Sequence, residues 1–302
     1  MALNQFPTWI RRPWPSGKAF REVKDLLNGM DLHTVCQSAH CPNQSECWSR
    51  RTATFMVLGN TCTRHCTYCA VNSGKPMAPD PDEPEKVAEA VRRLGLRHAV
   101  LTSVTRDDLP DGGAGHIAAT IRAIKRLSPG TTQEVLVQDF VGDVPAIELI
   151  VAAKPEIFSH NIETVRRIFP KLRDRRFSYD LSLEVLRIAR ARIGRGFVKS
   201  SFMLGCGETE ADIQETLHDL LVAGCDAVSM GQYLQPTPKH QDVEAFIPPE
   251  IFTRYESMAR DMGFSFAVAG PFVRSSYRSE ALLQSEFGRE RLQTSGAEQH
   301  AD

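Results

Sequence analysis

The chain has 302 residues, of which 42% are hydrophobic and 24% are charged, and its formal net charge is −1. This length and composition allow one large domain with appendages and a full core, and the near-neutral charge demands neither a nucleic acid nor a membrane as a partner. No apolar run approaches the roughly 20 residues of a membrane-spanning helix, and the N-terminus lacks the long apolar segment of a secretory signal, so we expect a cytoplasmic protein.

Six of the eight cysteines fall between Cys36 and Cys69 and form two separate triads. The first triad, Cys36, Cys41 and Cys47, has the spacing C-x4-C-x5-C. It lies in residues 1–53, a proline-rich stretch that we expect to be irregular. By itself the first triad is compatible with an iron–sulfur cluster or a zinc knot, because thiolates are soft ligands that suit both.

From residue 54 onward, strand patterns alternate with helix patterns. Residues 85–94 place apolar side chains at helical spacing, with Pro84 suited to the first turn and Gly95 to the end. Strand and helix alternate six times before a last strand pattern. The predicted strands span residues 54–60, 98–104, 134–140, 156–161, 196–204, 226–232 and 264–270. The other predicted helices span residues 116–127, 145–153, 181–192 and 211–224.

This alternation with short connections predicts a parallel sheet with right-handed crossovers. The sheet is either open and doubly wound or curved into a barrel. Polar residues follow the ends of the first six strands instead of gathering at one switch point, which favours a barrel. Six units are too few for an eight-fold barrel, so we expect an α/β fold with a partial (β/α)6 barrel whose gap another segment covers. We expect the last 20 or so residues to be frayed.

The second triad, Cys62, Cys66 and Cys69, has the spacing C-x3-C-x2-C and directly follows the first predicted strand. A disulfide does not fit a reducing compartment. A single zinc ion would need a fourth ligand, for which His65 is the neighbouring candidate. Spacing and position together favour a four-iron cluster held by three thiolates. The iron without a cysteine is then free to bind another group.

This loop motif resembles that of the radical S-adenosylmethionine (SAM) enzymes. The resemblance implies that the second triad holds a catalytic [4Fe–4S] cluster, that SAM binds the open iron, and that cleavage of SAM yields a deoxyadenosyl radical that abstracts hydrogen from the substrate. It also implies cofactor contacts from Tyr68, Asn161, Glu163 and Ser201. Simple core packing is the alternative for Tyr68, and a helix N-cap is the alternative for Asn161 and Glu163.

The two triads and several further segments together resemble the lipoyl synthase family. The segments follow the family's order along almost the whole chain: TATFMVLGNTCTRHC, LTSVTRDDLPDGGAGH, HNIETV, FMLGCGET, GQYLQP and GPFVRSSY. The resemblance implies that the first triad holds an auxiliary [4Fe–4S] cluster, with Ser276 of RSSY as its fourth ligand. An oxygen ligand is harder than thiolate and could leave this iron easily. Without the resemblance, RSSY would be interpreted as a surface turn.

The resemblance further implies sulfur insertion at C6 and C8 of an octanoyl chain on a lysine of a lipoyl carrier domain, with the auxiliary cluster as sulfur source. The carriers would be the E2 subunits of 2-oxoacid dehydrogenases and the H protein of the glycine cleavage system. A ferredoxin or flavodoxin would supply electrons, an iron–sulfur carrier protein would supply clusters, and we expect a monomer. The corresponding domains are residues 1–53 with the auxiliary cluster, 54–270 as the partial barrel, and 271–302 with RSSY.

Four further residues need an interpretation. Asp107 and Asp108 could act as carboxylate catalysts, but radical abstraction needs no general base, so we expect them to organise their loop. Cys206 and Cys225 belong to neither triad. We expect these two to be small buried side chains and not ligands.

The sequence departs from the family pattern at Thr105, Ser159, Ser201 and Ala245, which leaves the cluster ligands intact but allows a divergent paralogue with an altered substrate. Another sulfur-inserting radical enzyme, such as a methylthiotransferase, is a second alternative. Those enzymes are expected to carry an appended domain, for which there is no room after residue 280. A non-catalytic metal-binding module is a third alternative, against which the strand–helix array with polar strand ends argues.

Overall fold

The computed structural model of the chain describes residues 7–10, 17–49 and 53–293. Within these residues, seven parallel strands form one sheet whose spatial order follows the chain, and β2 and β3 pair separately. In chain order the strands are β1 (Thr54–Val57), β2 (Thr61–Cys62), β3 (Asn72–Ser73), β4 (His98–Ser103), β5 (Thr132–Leu136), β6 (Ile157–Ser159), β7 (Phe197–Leu204), β8 (Ala227–Gln232) and β9 (Phe266–Gly270).

Helices connect the successive strands of the large sheet, as parallel pairing requires. In chain order the α-helices of the described residues are α1 (Lys18–Gly29), α2 (Val35–Ser38), α3 (Gln44–Ser49), α4 (Glu83–Leu94), α5 (Ala114–Leu127), α6 (Val144–Ala152), α7 (Phe169–Leu172), α8 (Tyr179–Arg192), α9 (Glu210–Val222), α10 (Pro249–Met262), α11 (Glu280–Gln284) and α12 (Glu286–Gln293). The apolar faces of the helices between the strands join the sheet in one core, and α11 and α12 pack on a second, smaller cluster. None of these helices combines the length and apolarity that a bilayer crossing requires.

Helix α4 shows how the local sequence sets an element. Pro84 lies in its first turn, and Gly95 ends it with a φ of 64°, which glycine adopts at little cost. Val87 is buried on its inner face. The helix predicted over residues 85–94 is therefore confirmed, and it begins slightly earlier, at Glu83.

The predicted α/β class, parallel sheet and partial barrel are confirmed. β1 and β9 are the edge strands, and within the described residues they do not pair with each other. The sheet has seven strands instead of the six predicted units, because β9 pairs with β8. Helix α10, which buries Phe252, Tyr255 and Ala259 and connects β8 to β9, was not predicted from the sequence.

The prediction that residues 1–53 are irregular is wrong for residues 17–49, which contain α1, α2 and α3. Phe20 of α1 packs on Trp48 of α3 with 5.1 Å between the ring centroids, and Trp48 is fully buried. Pro42 lies between α2 and α3 and interrupts neither helix. Outside the described residues of this stretch lie 1–6, 11–16 and 50–52.

The prediction of a frayed C-terminus is wrong for the described part of that segment, which forms α11 and α12. Leu282 and Phe287 pack against Ile157 and Phe197, the first residues of β6 and β7. The two helices therefore cover apolar side chains at the amino ends of these strands, and this burial explains their order. Residues 294–302 lie outside the described residues.

The stretch between β9 and α11, residues 271–279, is called the RSSY segment below. It passes so close to β8 that a methyl group on Gly231 would overlap the carbonyl oxygen of Val273. Gly231 is not among the residues with positive φ. The close approach of the two backbones, and not the conformation of Gly231, therefore requires glycine at this position.

We expect Gly231→Ala to lower the free energy of unfolding by about 1–3 kcal/mol, because the added methyl group must displace the RSSY segment. Urea-induced unfolding measures this change. Gly130→Ala is the matched control, because Gly130 is exposed and a methyl group there meets no atom within 4 Å; its effect should stay within about 0.5 kcal/mol. Equal stability of the two variants would contradict the close approach.

Candidate functional site

The second triad lies in the loop that follows β1. Cys62 ends β2, and Cys66 and Cys69 follow within the loop. All three thiols are free and half-buried, and burial raises the pKa of Cys69 to about 12. One short stretch of chain therefore presents three partly accessible sulfur atoms, as a three-thiolate cluster site requires.

Arg64, between the first two cysteines of the second triad, fixes the shape of this loop. Its fully buried guanidinium binds both carboxylate oxygens of Asp107, at 2.7 and 2.9 Å, and Oδ2 of Asp139 at 2.9 Å. The ring centroid of Phe177 lies 4.0 Å away. Burial opposes the charged form, but the two carboxylates outweigh it and raise the pKa of Arg64. The arginine thus ties the triad loop to the loops after β4 and β5.

Residues 171–176 pack along the same loop. The backbone N–H of Asp174 donates to Sγ of Cys66 at 3.3 Å, and Oδ2 of Asp174 accepts from the N–H of His65 at 2.8 Å. Burial raises the pKa of Cys66, whereas the Arg173 guanidinium and the Asp174 N–H favour its thiolate. The surroundings of Cys66 therefore partly offset the cost of a buried negative charge.

The first triad is carried by α2 and α3. Cys36 lies in α2 and is buried, and burial raises its pKa to about 11. Just before α2, Thr34 forms an isolated antiparallel bridge with Phe55 of β1. Cys41 lies between the two helices and Cys47 lies in α3, and both are half-buried. Strand β1 thus anchors the helix that carries the first cysteine.

Several hydrogen bonds join the RSSY segment to the region of the first triad. Asn43 Nδ2 donates to a carbonyl oxygen of the segment at 2.6 Å, and the Tyr277 hydroxyl donates to Glu46 Oε1 at 3.0 Å. Thr54 Oγ1 donates to Ser276 Oγ at 3.1 Å. Because Asn43 and Glu46 lie between cysteines of the first triad, these bonds bring Ser276 beside that triad despite the long sequence separation.

Two adjoining cavities lie beside the triads. The larger, about 370 Å³, is lined by the first triad and Ser276, and the smaller, about 250 Å³, is lined by the second triad. Several side chains line both cavities: Tyr68, Cys69, Asn161, Glu163 and Ser275. The spaces next to the two triads therefore share a wall.

Tyr68 both packs against the core and lines the cavities, so its two interpretations are compatible. Its hydroxyl accepts a hydrogen bond from Arg173 Nη1 at 3.0 Å. The Arg173 guanidinium stacks 3.5 Å from the ring centroid of Phe177, and Nη1 lies 3.5 Å from Glu163 Oε1. Burial raises the pKa of Glu163, and the nearby positive charge of Arg173 lowers it by less.

The N-cap alternative for Asn161 and Glu163 is wrong, because the next helix of the described chain, α7, begins only at Phe169. Asn161 Nδ2 donates to Glu163 Oε1 at 3.1 Å, while Asn161 Oδ1 is buried without a partner among the described residues. An unpaired acceptor in a cavity wall fits a polar ligand. Ser201 also lines the larger cavity, but its hydroxyl donates to the Ser229 carbonyl at 2.9 Å.

The donor set of each triad fits a four-iron cluster. Within the described parts of the chain, no three Cys, His, Asp or Glu side chains meet closely enough to hold one metal ion. A [4Fe–4S] cluster does not require this, because each thiolate binds a different iron. Three thiols at a cavity edge leave the fourth iron to another ligand.

Arg64 and Arg173 were not predicted from the sequence as residues of the site. The position of Arg64 inside the cysteine motif was a feature of the sequence that could have identified it as a site residue. Its partners, however, lie in loops after other strands, and the motif itself does not reveal them. Arg173 carried no comparable signal, because it lies in a run of several charged residues.

The other candidate residues behave as the sequence predicted. Asp107 binds Arg64 of the triad loop at 2.7 Å, and Asp108 binds Arg106 of its own loop at 2.8 Å, so both carboxylates organise the loop after β4. Cys206 and Cys225 are buried. Burial raises the pKa of both thiols.

Several solved structures share this fold. Methylornithine synthase aligns with a TM-score of 0.52 and 13% identity over 92% of each chain. The FeFe-hydrogenase maturase HydG from Carboxydothermus hydrogenoformans aligns with a TM-score of 0.58 and 13% identity, over 82% of this chain and 64% of its own. At such low identity these likenesses concern the fold alone.

Comparison with relatives in sequence identifies a family and not only a fold. The family model of the radical SAM superfamily matches residues 56–220. Lipoyl synthase from Thermus thermophilus is 52% identical over 278 residues, which is 92% of this chain and 86% of that protein. Lipoyl synthase from Rubrobacter xylanophilus is 50% identical over 273 residues, 90% of this chain and 85% of that protein. The chain therefore belongs to the lipoyl synthase family within the radical SAM superfamily.

Proposed function

We propose that this enzyme inserts sulfur at C6 and C8 of an octanoyl chain attached to a lysine of a lipoyl carrier domain. The observation that carries the proposal is the shared wall between the cavities of the two thiol triads. Such chemistry needs a radical generator and a sulfur donor next to the same carbon atom, and proximity of this kind lowers the barrier of each step.

As a member of its superfamily the chain uses a [4Fe–4S] cluster and SAM, and we assign two such clusters to it. The second triad would hold the cluster that binds SAM, and the first triad with Ser276 would hold the auxiliary cluster. When bound, these groups supply the radical that breaks unactivated C–H bonds and the sulfur that replaces hydrogen.

The side chains of the shared wall would bind and orient the cofactor. Glu163 and Asn161 offer acceptor oxygens suited to the ribose hydroxyls of SAM, and the unpaired Asn161 Oδ1 supports this role. Tyr68, held by its bond to Arg173, would pack near the adenine ring. The Ser201 hydroxyl is already bonded to a neighbouring strand, so its contact with the cofactor would be mainly steric. Together these groups would also exclude water.

Ser276 is the ligand that would be given up during sulfur donation. A serine oxygen is harder than a thiolate and matches this iron less well. Its neighbour Thr54 already offers a hydrogen bond to the same oxygen. The released hydroxyl would therefore have a partner, which lowers the cost of its release.

The departures from the family pattern favour the common substrate over an altered one. The Thr105 carbonyl, not its side chain, accepts bonds from Thr63 at 3.0 and 3.1 Å. The Ala245 carbonyl likewise accepts a bond from Gln232 Nε2 at 2.9 Å. Backbone bonds of this kind survive a change of side chain. Ser159 donates to Glu134 within the barrel.

The substrates would be protein-bound octanoyl groups, on E2 subunits of 2-oxoacid dehydrogenases and on the H protein of the glycine cleavage system. A ferredoxin or flavodoxin would deliver electrons, and an iron–sulfur carrier protein would rebuild the auxiliary cluster, with the enzyme acting as a monomer. We assign the auxiliary cluster to residues 1–53, the radical chemistry to residues 54–270, and the exchangeable serine to residues 271–302.

Anaerobic reconstitution should load about eight irons per chain, because each triad holds a four-iron cluster. Replacing Cys62, Cys66 and Cys69 together by alanine should leave about four. Iron and sulfide analysis measures both values. Cys225→Ala, which removes a buried cysteine outside the triads, should keep the full load. A wild-type chain holding a single zinc ion would contradict the assignment.

The two triads should separate functionally when one cysteine of each is removed. Cys66→Ala should abolish cleavage of SAM, because no electron can reach it. Cys41→Ala should still cleave SAM but form no sulfur-containing product. The assay follows deoxyadenosine and, by mass spectrometry, an octanoylated peptide, again with Cys225→Ala as the control. Dithiolated product from Cys41→Ala at the normal rate would show that the first triad is not the sulfur source.

Ser276→Ala should retain both clusters, since three thiolates can hold one, but should slow sulfur insertion by about 10- to 100-fold or more. Ser276→Cys should hold the cluster too firmly and also slow turnover. Ser257→Ala is the matched control, because Ser257 is exposed on α10 and lines neither cavity. Normal product formation by Ser276→Ala would refute the role of this serine.

A further inference from the structure

The RSSY segment is held from inside the barrel by residues of three different strands. Thr54 of β1 donates to Ser276 Oγ at 3.1 Å, and His98 Nε2 of β4 lies 2.8 Å from Ser279 Oγ. Lys199 Nζ of β7 donates to the carbonyl oxygen of Ser275. Only the last of these bonds reaches the backbone of the segment, at the residue just before Ser276.

Lys199 is part of a buried ion pair. Its Nζ lies 3.0 and 3.2 Å from the carboxylate oxygens of Glu134, and their side chains are 3% and 0% exposed. Glu134 also accepts a bond from Ser159 at 2.6 Å. Burial opposes ionisation of Glu134, but Lys199 and Ser159 outweigh it and hold its pKa below the usual range.

Stability alone does not account for this pair. Removing two charges from water is costly, and apolar replacements of buried pairs are often neutral or stabilising. What an apolar pair would lack is a donor for the Ser275 carbonyl. The lysine has three donors, so it can satisfy the carboxylate and the carbonyl at once.

We propose that Lys199 is a positioning residue for Ser276. Lys199 fixes the Ser275 carbonyl and therefore the peptide bond between Ser275 and Ser276. Rotation about χ1 of Ser276 is then the main way in which Oγ can move. This rotation can direct Oγ either to Thr54 or into the cavity of the first triad. The inference rests on the proposed function, because the proposed function makes Ser276 a cluster ligand at the first triad.

The test combines the double variant Glu134→Gln/Lys199→Met, which leaves no unpaired buried charge, with hydrogen exchange of the chain without clusters. The reporter is the peptide covering residues 271–280, which contains the Tyr277 amide that donates to the Arg274 carbonyl at 3.0 Å. We expect exchange there at least roughly tenfold faster, because a charge-assisted bond is lost. Glu134→Gln/Lys199→Leu is the second variant if the first one does not fold, because it too removes the donor without leaving a buried charge.

Lys86→Met is the matched control, because it breaks an exposed ion pair with Asp80 and should leave the reporter peptide unchanged. In the reconstituted enzyme, the double variant should keep SAM cleavage near the wild-type rate and slow sulfur insertion by about 10- to 100-fold, as expected for Ser276→Ala. A merely structural defect would lower both reactions together.

The possible failures are distinguishable. Unchanged exchange in the reporter peptide overturns the positioning role, whatever Ser276 does. Equal loss of SAM cleavage and sulfur insertion also overturns it, since the effect is then general. Faster exchange with normal sulfur insertion, both in the double variant and in Ser276→Ala, overturns the proposed ligand and with it the catalytic purpose of the positioning.

Discussion

Ionised side chains inside and above the open barrel must be paired, and much of the architecture satisfies this constraint. The pair of Glu134 and Lys199 lies within the barrel, and the RSSY segment supplies the further acceptor that Lys199 requires. Arg64 draws Asp107 and Asp139 onto the triad loop. In each case the partner comes from a distant part of the chain, so the buried cations hold loops and the C-terminal segment against the barrel. An apolar interior would supply no such directional bonds.

The features that could be predicted from the sequence are those with a local signature. Strand and helix patterns predicted the parallel sheet, and cysteine spacing predicted two triads. The partners of Arg64 and Lys199 could not be predicted, because they are set by tertiary contacts that leave no periodicity. Helix α1 is a different case: its apolar spacing was present, but the surrounding prolines favoured an irregular interpretation. β9 was recognised as a strand, yet its place as the seventh strand depended on α10, which was missed.

The relation between the two triads is set by β1. The helix that carries the first cysteine is bridged to β1 through Thr34 and Phe55, and the second triad follows the other end of the strand. Four residues of strand rise about 13 Å. Two cysteine triads attached near the ends of so short a strand lie close together without a dedicated linker. The sequence order of the triads, with the first before β1 and the second after it, therefore helps to bring them close together.

Glu163 has a backbone conformation that is unfavourable for residues other than glycine. Its φ of 69° is left-handed, which costs a residue with a Cβ about 1–2 kcal/mol. Two bonds to β7 hold this conformation: its N–H donates to the Ser201 carbonyl at 3.0 Å, and its carbonyl accepts from the Met203 N–H at 2.9 Å. Glycine would relieve the strain but would remove the carboxylate from the wall that both cavities share. This strain supports the proposal that the Glu163 side chain has a role at the site.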